Sequence, residues 1–297
     1  MKRIRRSLLY IPGNNPALVR GAALYQPDVL VFDLEDSVAL AEKDSARILI
    51  RNALQHIDLL NPYECEVMVR INDPKTEFGQ ADLEMIVKEK IDSIRLPKAE
   101  SEEDVKLLDD MLTTLEEKYG KDVGRIEIIP ILESVRGVEH AEKIAMCSER
   151  VTGLTLGAED FTRDLGASRT KDGEELRYAR GKIVLAAKYA GIHAIDTIFG
   201  DVNDEEGLVK ETKYVKSLGF DGKSAIHPRQ IESIHQVFNP TQAEIEHAMK
   251  VRIAAKEAEK KGSGVIALDG RMIDAPVLKR AEKILNIAER LALIETE

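Results

Sequence analysis

Residues 127–137 read EIIPILESVRG, and residues 151–166 read VTGLTLGAEDFTRDLG. Each is an apolar run that ends in a carboxylate, Glu133 in the first and Asp160 in the second. Small or turn-forming residues follow, then a helical pattern. The same unit recurs outward in both directions. SLLYIPG (7–13), DVLVFDLED (28–36), ECEVMVRIND (64–73) and IDSIRLPKAE (91–100) precede the pair, and HAIDTIFGD (193–201) and DGKSAIHP (221–228) follow it. Each is trailed by a segment of helical periodicity, such as KDSARILIRNALQHI (43–57) or GVEHAEKIAMCS (137–148). One of these helices, after residue 100, opens with a capping-box pattern from Ser101 to Asp104 and closes on Gly120. Eight strand–helix pairs in strict alternation predict a parallel sheet closed into an α/β (β/α)8 TIM barrel. An open doubly wound sheet competes. YIPGNNP (10–16) after the first strand lacks the glycine fingerprint that such a sheet would carry.

The barrel is complete by residue 238. Residues 239–297 form a C-terminal helical extension, with long amphipathic stretches at 241–262 and 275–295 around SGVIALDGRMID (263–274), which reads as irregular or a short hairpin. No low-complexity linker separates it, and it is expected to pack on the barrel or to reach a neighbouring subunit.

The 297 residues carry a formal charge of −10, which disfavours nucleic acid unless the basic residues cluster. They cluster only in MKRIRRSLLY (1–10), where a phosphate-binding rim or solvation fits better than a nucleic-acid arm. That run is no signal peptide, because it breaks at Pro12 before a proper apolar segment forms. No stretch has the length of a membrane span. Aromatics make up 4% of the chain and tryptophan is absent, which argues against a stacking platform for single strands. Cys65 and Cys147 match no metal or redox spacing, so a reducing cytoplasm is expected.

Active sites of such barrels sit at the carboxyl ends of the strands. That rim is predicted to hold Asn14; Asp33, Glu35 and Asp36; Arg70 and Asn72; Pro97 and Lys98; Glu133; Gly157 to Asp160; Asp196 and Phe199; and Ser224 and His227. Glu133 and Asp160, on adjacent strands, are candidate ligands for one hard cation such as Mg²⁺, which keeps waters and substrate oxygens in its other positions. Either acid alone reads as a solvated strand end or a cap; the pair favours metal. Gly157 and Ala158 are small enough for their backbone N–H groups to approach a substrate carboxylate, or else form a simple turn. Arg70 offers a permanent bidentate charge for a developing enolate oxygen, against a structural pairing with Asp33, Glu35 or Asp36. Lys43 and Arg47, one helical turn apart, suit a phosphate or a solvated helix face equally. His227 reads as structural. Asp274, before Ala275 and Pro276, has the form of a helix cap.

LLYIPGNNP (8–16), VFDLEDSVALAEKDSAR (31–47), VRIND (69–73), IRLPKAE (94–100), PILESVRGV (130–138), LGAEDFTRDLG (156–166), GKSAIHPRQI (222–231) and GVIALDGRMIDAPVLKRAE (264–282) occur in that order. Together they resemble the HpcH/HpaI aldolase family of the phosphoenolpyruvate/pyruvate barrel superfamily, in its citrate lyase β-chain branch. The resemblance implies Mg²⁺ held by Glu133 and Asp160, and Arg70 on the reacting oxygens. It also implies Asp274 as an acid/base in a neighbouring subunit's site, reversing the capping reading. It further implies Glu35 and Asp36 beside the substrate, with Lys43 and Arg47 on coenzyme phosphates.

The implied reaction splits a citryl thioester, on acyl carrier protein or CoA, into oxaloacetate and an acetyl thioester. The base would be a carboxylate of the Asp33–Asp36 cluster, such as Asp36, or a hydroxide on the metal. Other citrate lyase subunits and a homo-oligomer, trimer or hexamer, are implied partners. The alternatives are a stand-alone malyl-CoA or citramalyl-CoA lyase or related thioester synthase, and a non-catalytic subunit that docks an acyl carrier.

Overall fold

A computed structural model describes residues 3–260, 266–268 and 271–294. Two compact units divide at residue 238. The first is a closed barrel of eight parallel strands: β1 Ser7–Pro12, β2 Val29–Asp33, β3 Glu66–Arg70, β4 Ser93–Leu96, β5 Glu127–Leu132, β6 Gly153–Leu156, β7 His193–Asp196 and β8 Gly222–Ala225. Pairing of Leu8 with Ser224 and of Leu9 with Ala225 closes the ring.

Side chains alternate between the lumen and the helical shell, as strand geometry requires. Leu8, Val29, Val31, Met68, Ile129 and Ile195 fill the middle of the lumen, with Tyr10 packed on them. Their neighbours Leu9, Leu30, Phe32, Val67, Ile128 and Ala194 face outward into a core shared with the helices. Below the apolar layer, buried Arg5 bonds Glu66 at 2.7 and 2.9 Å and also meets Glu127, sealing the amino-terminal end. The amino-terminal basic run is therefore split in function. Arg5 is a buried plug, and Arg6 pairs with Asp28 at 2.6 Å.

Above the apolar layer, the lumen turns polar and becomes the site. After β4, the helix Glu102–Lys118 begins where the Asp104 carboxylate accepts the Ser101 N–H at 2.9 Å, and Gly120 follows it at φ 62°. The continuous helix expected over 137–148 is instead two short ones, Val135–Glu139 and Ala141–Met146. They break at His140, whose Nδ1 lies 2.8 Å from the Glu100 carbonyl.

Asp196 was expected on the rim and lies elsewhere. It follows lumen-facing Ile195, so alternation turns it outward. There it is fully buried and paired with Arg180 and Lys223.

The second unit, residues 239–297, contains helix Gln242–Lys260, an antiparallel pair of β9 Ile266–Leu268 with β10 Arg271–Ile273, and helix Ala275–Arg290. Ile245, Ala248 and Val251 recur on one helix face and pack with Ile273, Ala281, Leu285 and Ala288. Asp274 caps the last helix, its Oδ1 accepting the Val277 N–H at 3.1 Å, and Pro276 falls in the first turn. Among the described residues, no helix is long and apolar enough to cross a membrane.

Candidate active site

The carboxyl ends of the strands enclose a cavity of about 290 Å³, with Arg70, Glu133 and Asp160 in its wall. Glu133 directly follows β5 and is 7% exposed. Its Oε1 accepts the Lys98 N–H at 2.6 Å. Lys98 can aim that N–H because it takes φ 51°, a left-handed conformation that non-glycine residues adopt at a cost and that collects at functional sites. Burial pushes the Glu133 carboxyl up to about 7, and the charges of Glu35 and Asp160 add to the rise against the Lys98 N–H and Arg70.

Asp160 sits one step further from the sheet than its strand-end reading implied. It lies in the first turn of helix Ala158–Leu165, which starts two residues after β6. Its only ion pair among the described residues is with surface-exposed Arg163 at 2.9 Å, a contact of little strength.

Between the two acids, Gly157 is a steric necessity. A Cβ there would lie 2.6 Å from Glu133 Cβ and 2.7 Å from Oε2. The expected use of the Gly157 and Ala158 N–H groups on a substrate carboxylate is corrected by their bonds. Gly157 N–H donates to the Leu132 carbonyl at 3.0 Å, and Ala158 N–H to Thr197 Oγ1 at 3.2 Å. Helix geometry leaves the N–H groups of Glu159 and Asp160, in the first turn, without an intrahelical acceptor. Substituting Gly157→Ala is expected to push the Glu133 carboxylate out of place. Mg²⁺ affinity, read by titration calorimetry, should fall at least tenfold, with overpacking costing about 1–3 kcal/mol of stability. Unchanged affinity would mean that Glu133 is not a ligand.

Arg70, at the end of β3, is held on three sides. Nε and Nη2 clasp Asp33 at 2.7 and 2.6 Å, and Nη1 meets Glu35 at 3.0 Å. Three of its five N–H groups are so engaged. The structural pairing leaves two of its N–H groups without a hydrogen bond among the described contacts, and Arg70 lines the cavity. Burial alone would raise the Asp33 carboxyl, but Arg70, with Ser37 and the Glu35 N–H, holds it well below the usual range. Glu35 is buried and bonded to Lys98 Nζ at 2.6 Å. Asp36 is the exposed member of the cluster: its side chain is 56% exposed, 3.6 Å from Arg70 and 3.7 Å from Lys98.

Lys43 and Arg47 are not phosphate contacts. Lys43 is buried and donates to the Leu34 and Glu35 carbonyls at 2.8 and 2.6 Å. Arg47 is buried on Asp82 at 2.7 Å, and Asp82 in turn accepts the Asn72 N–H at 3.0 Å. Unsatisfied groups past β2 and β3 draw both cations inward, where they brace the turns that carry Glu35 and Arg70. Sequence reasoning missed Tyr10 and Arg95, which also line the cavity. Both guanidiniums, of Arg70 and Arg95, lie 5.0 Å from the Tyr10 ring. The signal was available: Arg95 sits two residues past Ser93 on a strand whose alternation points both into the lumen.

Residues 6–228 match the family model of the HpcH/HpaI aldolase/citrate lyase family. The chain belongs to that family. It is 46% identical to citrate lyase subunit beta of Haemophilus influenzae, over 97% of this chain and 98% of that one. It is 36% identical to the mitochondrial citramalyl-CoA lyase of Rattus norvegicus, over 96% of this chain and 86% of that one. Among solved structures, it is similar to the protein CitE of Mycobacterium tuberculosis in complex with magnesium, acetoacetate and coenzyme A. The TM-score is 0.76 at 32% identity, covering 97% of this chain and 99% of that one.

Proposed function

We propose that this protein is a Mg²⁺-dependent carbon–carbon lyase that splits a citryl thioester into oxaloacetate and an acetyl thioester, as the β subunit of a citrate lyase. The observation that carries the reading is one cavity wall bearing Glu133, Asp160 and Arg70, in a chain 46% identical to citrate lyase subunit beta. A solved relative from Mycobacterium tuberculosis, 33% identical, is described as citrate lyase beta subunit complexed with oxaloacetate and magnesium.

Glu133 and Asp160 fit the ion. They are hard oxygen donors, they repel each other when both are charged, and the absent Cβ of Gly157 leaves room beside Glu133. Bound there, Mg²⁺ supplies Lewis-acid polarisation of the oxygen that passes from hydroxyl to keto. The chain's residues do the rest. Asp36, exposed at the mouth, takes the proton of the tertiary hydroxyl. The carbon–carbon bond then breaks, its electron pair moving to the α-carbon of the thioester. The free N–H groups of Arg70 stabilise the resulting enolate oxygen. Asp274 of a neighbouring copy protonates the carbon. Its capping bond uses Oδ1 and leaves Oδ2 for this work. One proton is taken and one returned.

The substrate is carried on CoA or on an acyl carrier protein, and the protein works as a homo-oligomer with other citrate lyase subunits. Both described cysteines are free, in keeping with a reducing cytoplasm. Purified protein with Mg²⁺ should release oxaloacetate from citryl-CoA, lose the activity to a chelator and regain it on Mg²⁺ addition. Faster cleavage of malyl-CoA or citramalyl-CoA would overturn the substrate. Mixing Asp274→Asn with Arg70→Lys chains should restore part of the activity; none restored would count against the shared site.

A further inference from the structure

Every deeply buried arginine of the barrel but one meets a carboxylate. Arg5, Arg47, Arg150 and Arg180 pair with Glu66, Asp82, Glu116 and Asp196. Arg95 is the exception. It is 0% exposed, and no carboxylate lies within ion-pairing distance of it among the described residues. Its Nε has no hydrogen-bond partner. Its other contacts are neutral: Nη2 donates to Ser224 Oγ at 3.1 Å, and Nη1 lies 4.0 Å from Met68 Sδ. Burial, with the charge of Arg70, disfavours its cationic form more than Tyr10, Glu133 and Asp33 favour it. An uncompensated buried charge is a standing cost to the fold.

The direction of the Ser224 bond is fixed, because a guanidinium has no acceptor. Ser224 Oγ therefore accepts from Arg95 and keeps its own proton for another partner. Ser224 lines the cavity together with Arg95. We infer that Arg95 and Ser224 form the recognition element for the far carboxylate of a four-carbon dicarboxylic 2-oxo acid. In this element the Ser224 hydroxyl donates to the carboxylate, and Arg95 supplies the balancing charge from beneath. The inference rests on the proposed reaction and narrows it. With the 2-oxo acid end at Glu133 and Asp160, oxaloacetate has a second carboxylate to place, whereas pyruvate, the corresponding product from a citramalyl thioester, has none. Arg95 and Ser224 are thus specificity determinants, separate from the bond-breaking set.

The test is binding of oxaloacetate and of 2-oxobutyrate, which replaces the far carboxylate by a methyl group. Titration calorimetry on the Mg²⁺-loaded protein would read both. The unaltered protein should prefer oxaloacetate by about 100-fold, as a charge-assisted contact allows. Arg95→Met should remove most of that preference while 2-oxobutyrate affinity stays within about threefold. Ser224→Ala should remove about tenfold, and Arg95→Lys should restore part of the preference. Melting of Arg95→Met should be no lower than that of the parent, since a structural arginine would lower it.

The inference is overturned if the unaltered protein does not discriminate, if a folded Arg95→Met keeps the preference, or if it loses both ligands equally. Should Arg95→Met fail to fold, Ser224→Ala decides, and an unchanged preference there overturns it. A parent protein that prefers oxaloacetate yet cleaves no citryl thioester would overturn the proposed reaction and leave the carboxylate site standing.

Discussion

Replacing Arg70 by lysine is expected to lower kcat for citryl-thioester cleavage by about 10²–10³, the loss seen when one preorganised oxyanion donor is removed. Charge is retained in this variant, so the loss measures geometry. The guanidinium reaches Asp33 through two parallel bonds and Glu35 through a third while still presenting N–H groups to the cavity. An ammonium has three donors on one atom, cannot span these positions together, and settles on Asp33. The Mg²⁺ affinity should hold within about threefold, because neither Glu133 nor Asp160 makes a hydrogen bond to Arg70 among the described contacts. Single-turnover measurement with saturating citryl-CoA separates the chemical step from binding. A kcat within tenfold of the parent would move enolate stabilisation to another donor. Arg70→Met goes further and strands buried Asp33, whose carboxyl depends on this partner to stay ionised, so stability should fall by about 3–5 kcal/mol as well.

The fold was legible because parallel strands buried on both faces leave unbroken apolar runs, and eight of them at helix-length spacing admit one closure. Arg70 and Glu133 were legible for a related reason: a charged residue that ends such a run stands at the rim. That argument fails where a polar residue is turned by parity rather than by position. Asp196 ends β7 and faces the helices, because Ile195 faces the lumen. Arg95 lies inside an apolar run and faces the lumen, because Ser93 does too, its hydroxyl on buried Glu66. Reading each strand for parity as well as for its end would have exchanged these two. Lys43 and Arg47 failed for another cause. The acceptors that claim them are backbone carbonyls past β2 and a carboxylate on a distant helix, which no local pattern displays. The N–H groups of Gly157 and Ala158 were lost in the same way, to Leu132 at the end of β5 and Thr197 just past β7. The metal reading of Glu133 and Asp160 needed their spatial coincidence, which sequence supplied only through the adjacency of β5 and β6.

Asp196→Ala is expected to destabilise the barrel by about 3–5 kcal/mol, the cost of leaving buried charge without its partner. Asp196 and Lys223 are both fully buried, and Arg180 is too. The Asp196 carboxylate bonds Arg180 at 2.9 and 3.0 Å and Lys223 at 2.7 Å. Glu211 closes the square, 2.6 Å from Lys223 and 3.1 Å from Arg180. Two cations balance two anions, so removing Asp196 leaves a net positive charge on fully buried side chains. Burial by itself would raise the Asp196 carboxyl; Lys223 and Arg180 hold it low instead. That part of the stability is therefore fully present above the unfolded carboxyl value of about 3.9 and is lost as pH falls through the lower folded value. In a barrel of this size the substitution should lower the melting temperature by about 10 °C at neutral pH. The sharper expectation concerns a pair. Asp196→Ala combined with Lys223→Met removes one charge of each sign and leaves Arg180 on Glu211, so the double variant should melt above Asp196→Ala alone. Simple addition of two buried losses predicts the opposite order, and finding that order would show that packing, rather than charge balance, governs this corner of the barrel. The effect should reach the active site as well, because Lys223 Nζ also bonds the carbonyl of Thr197 at 2.9 Å, and Thr197 Oγ1 receives the Ala158 N–H that starts the helix bearing Asp160.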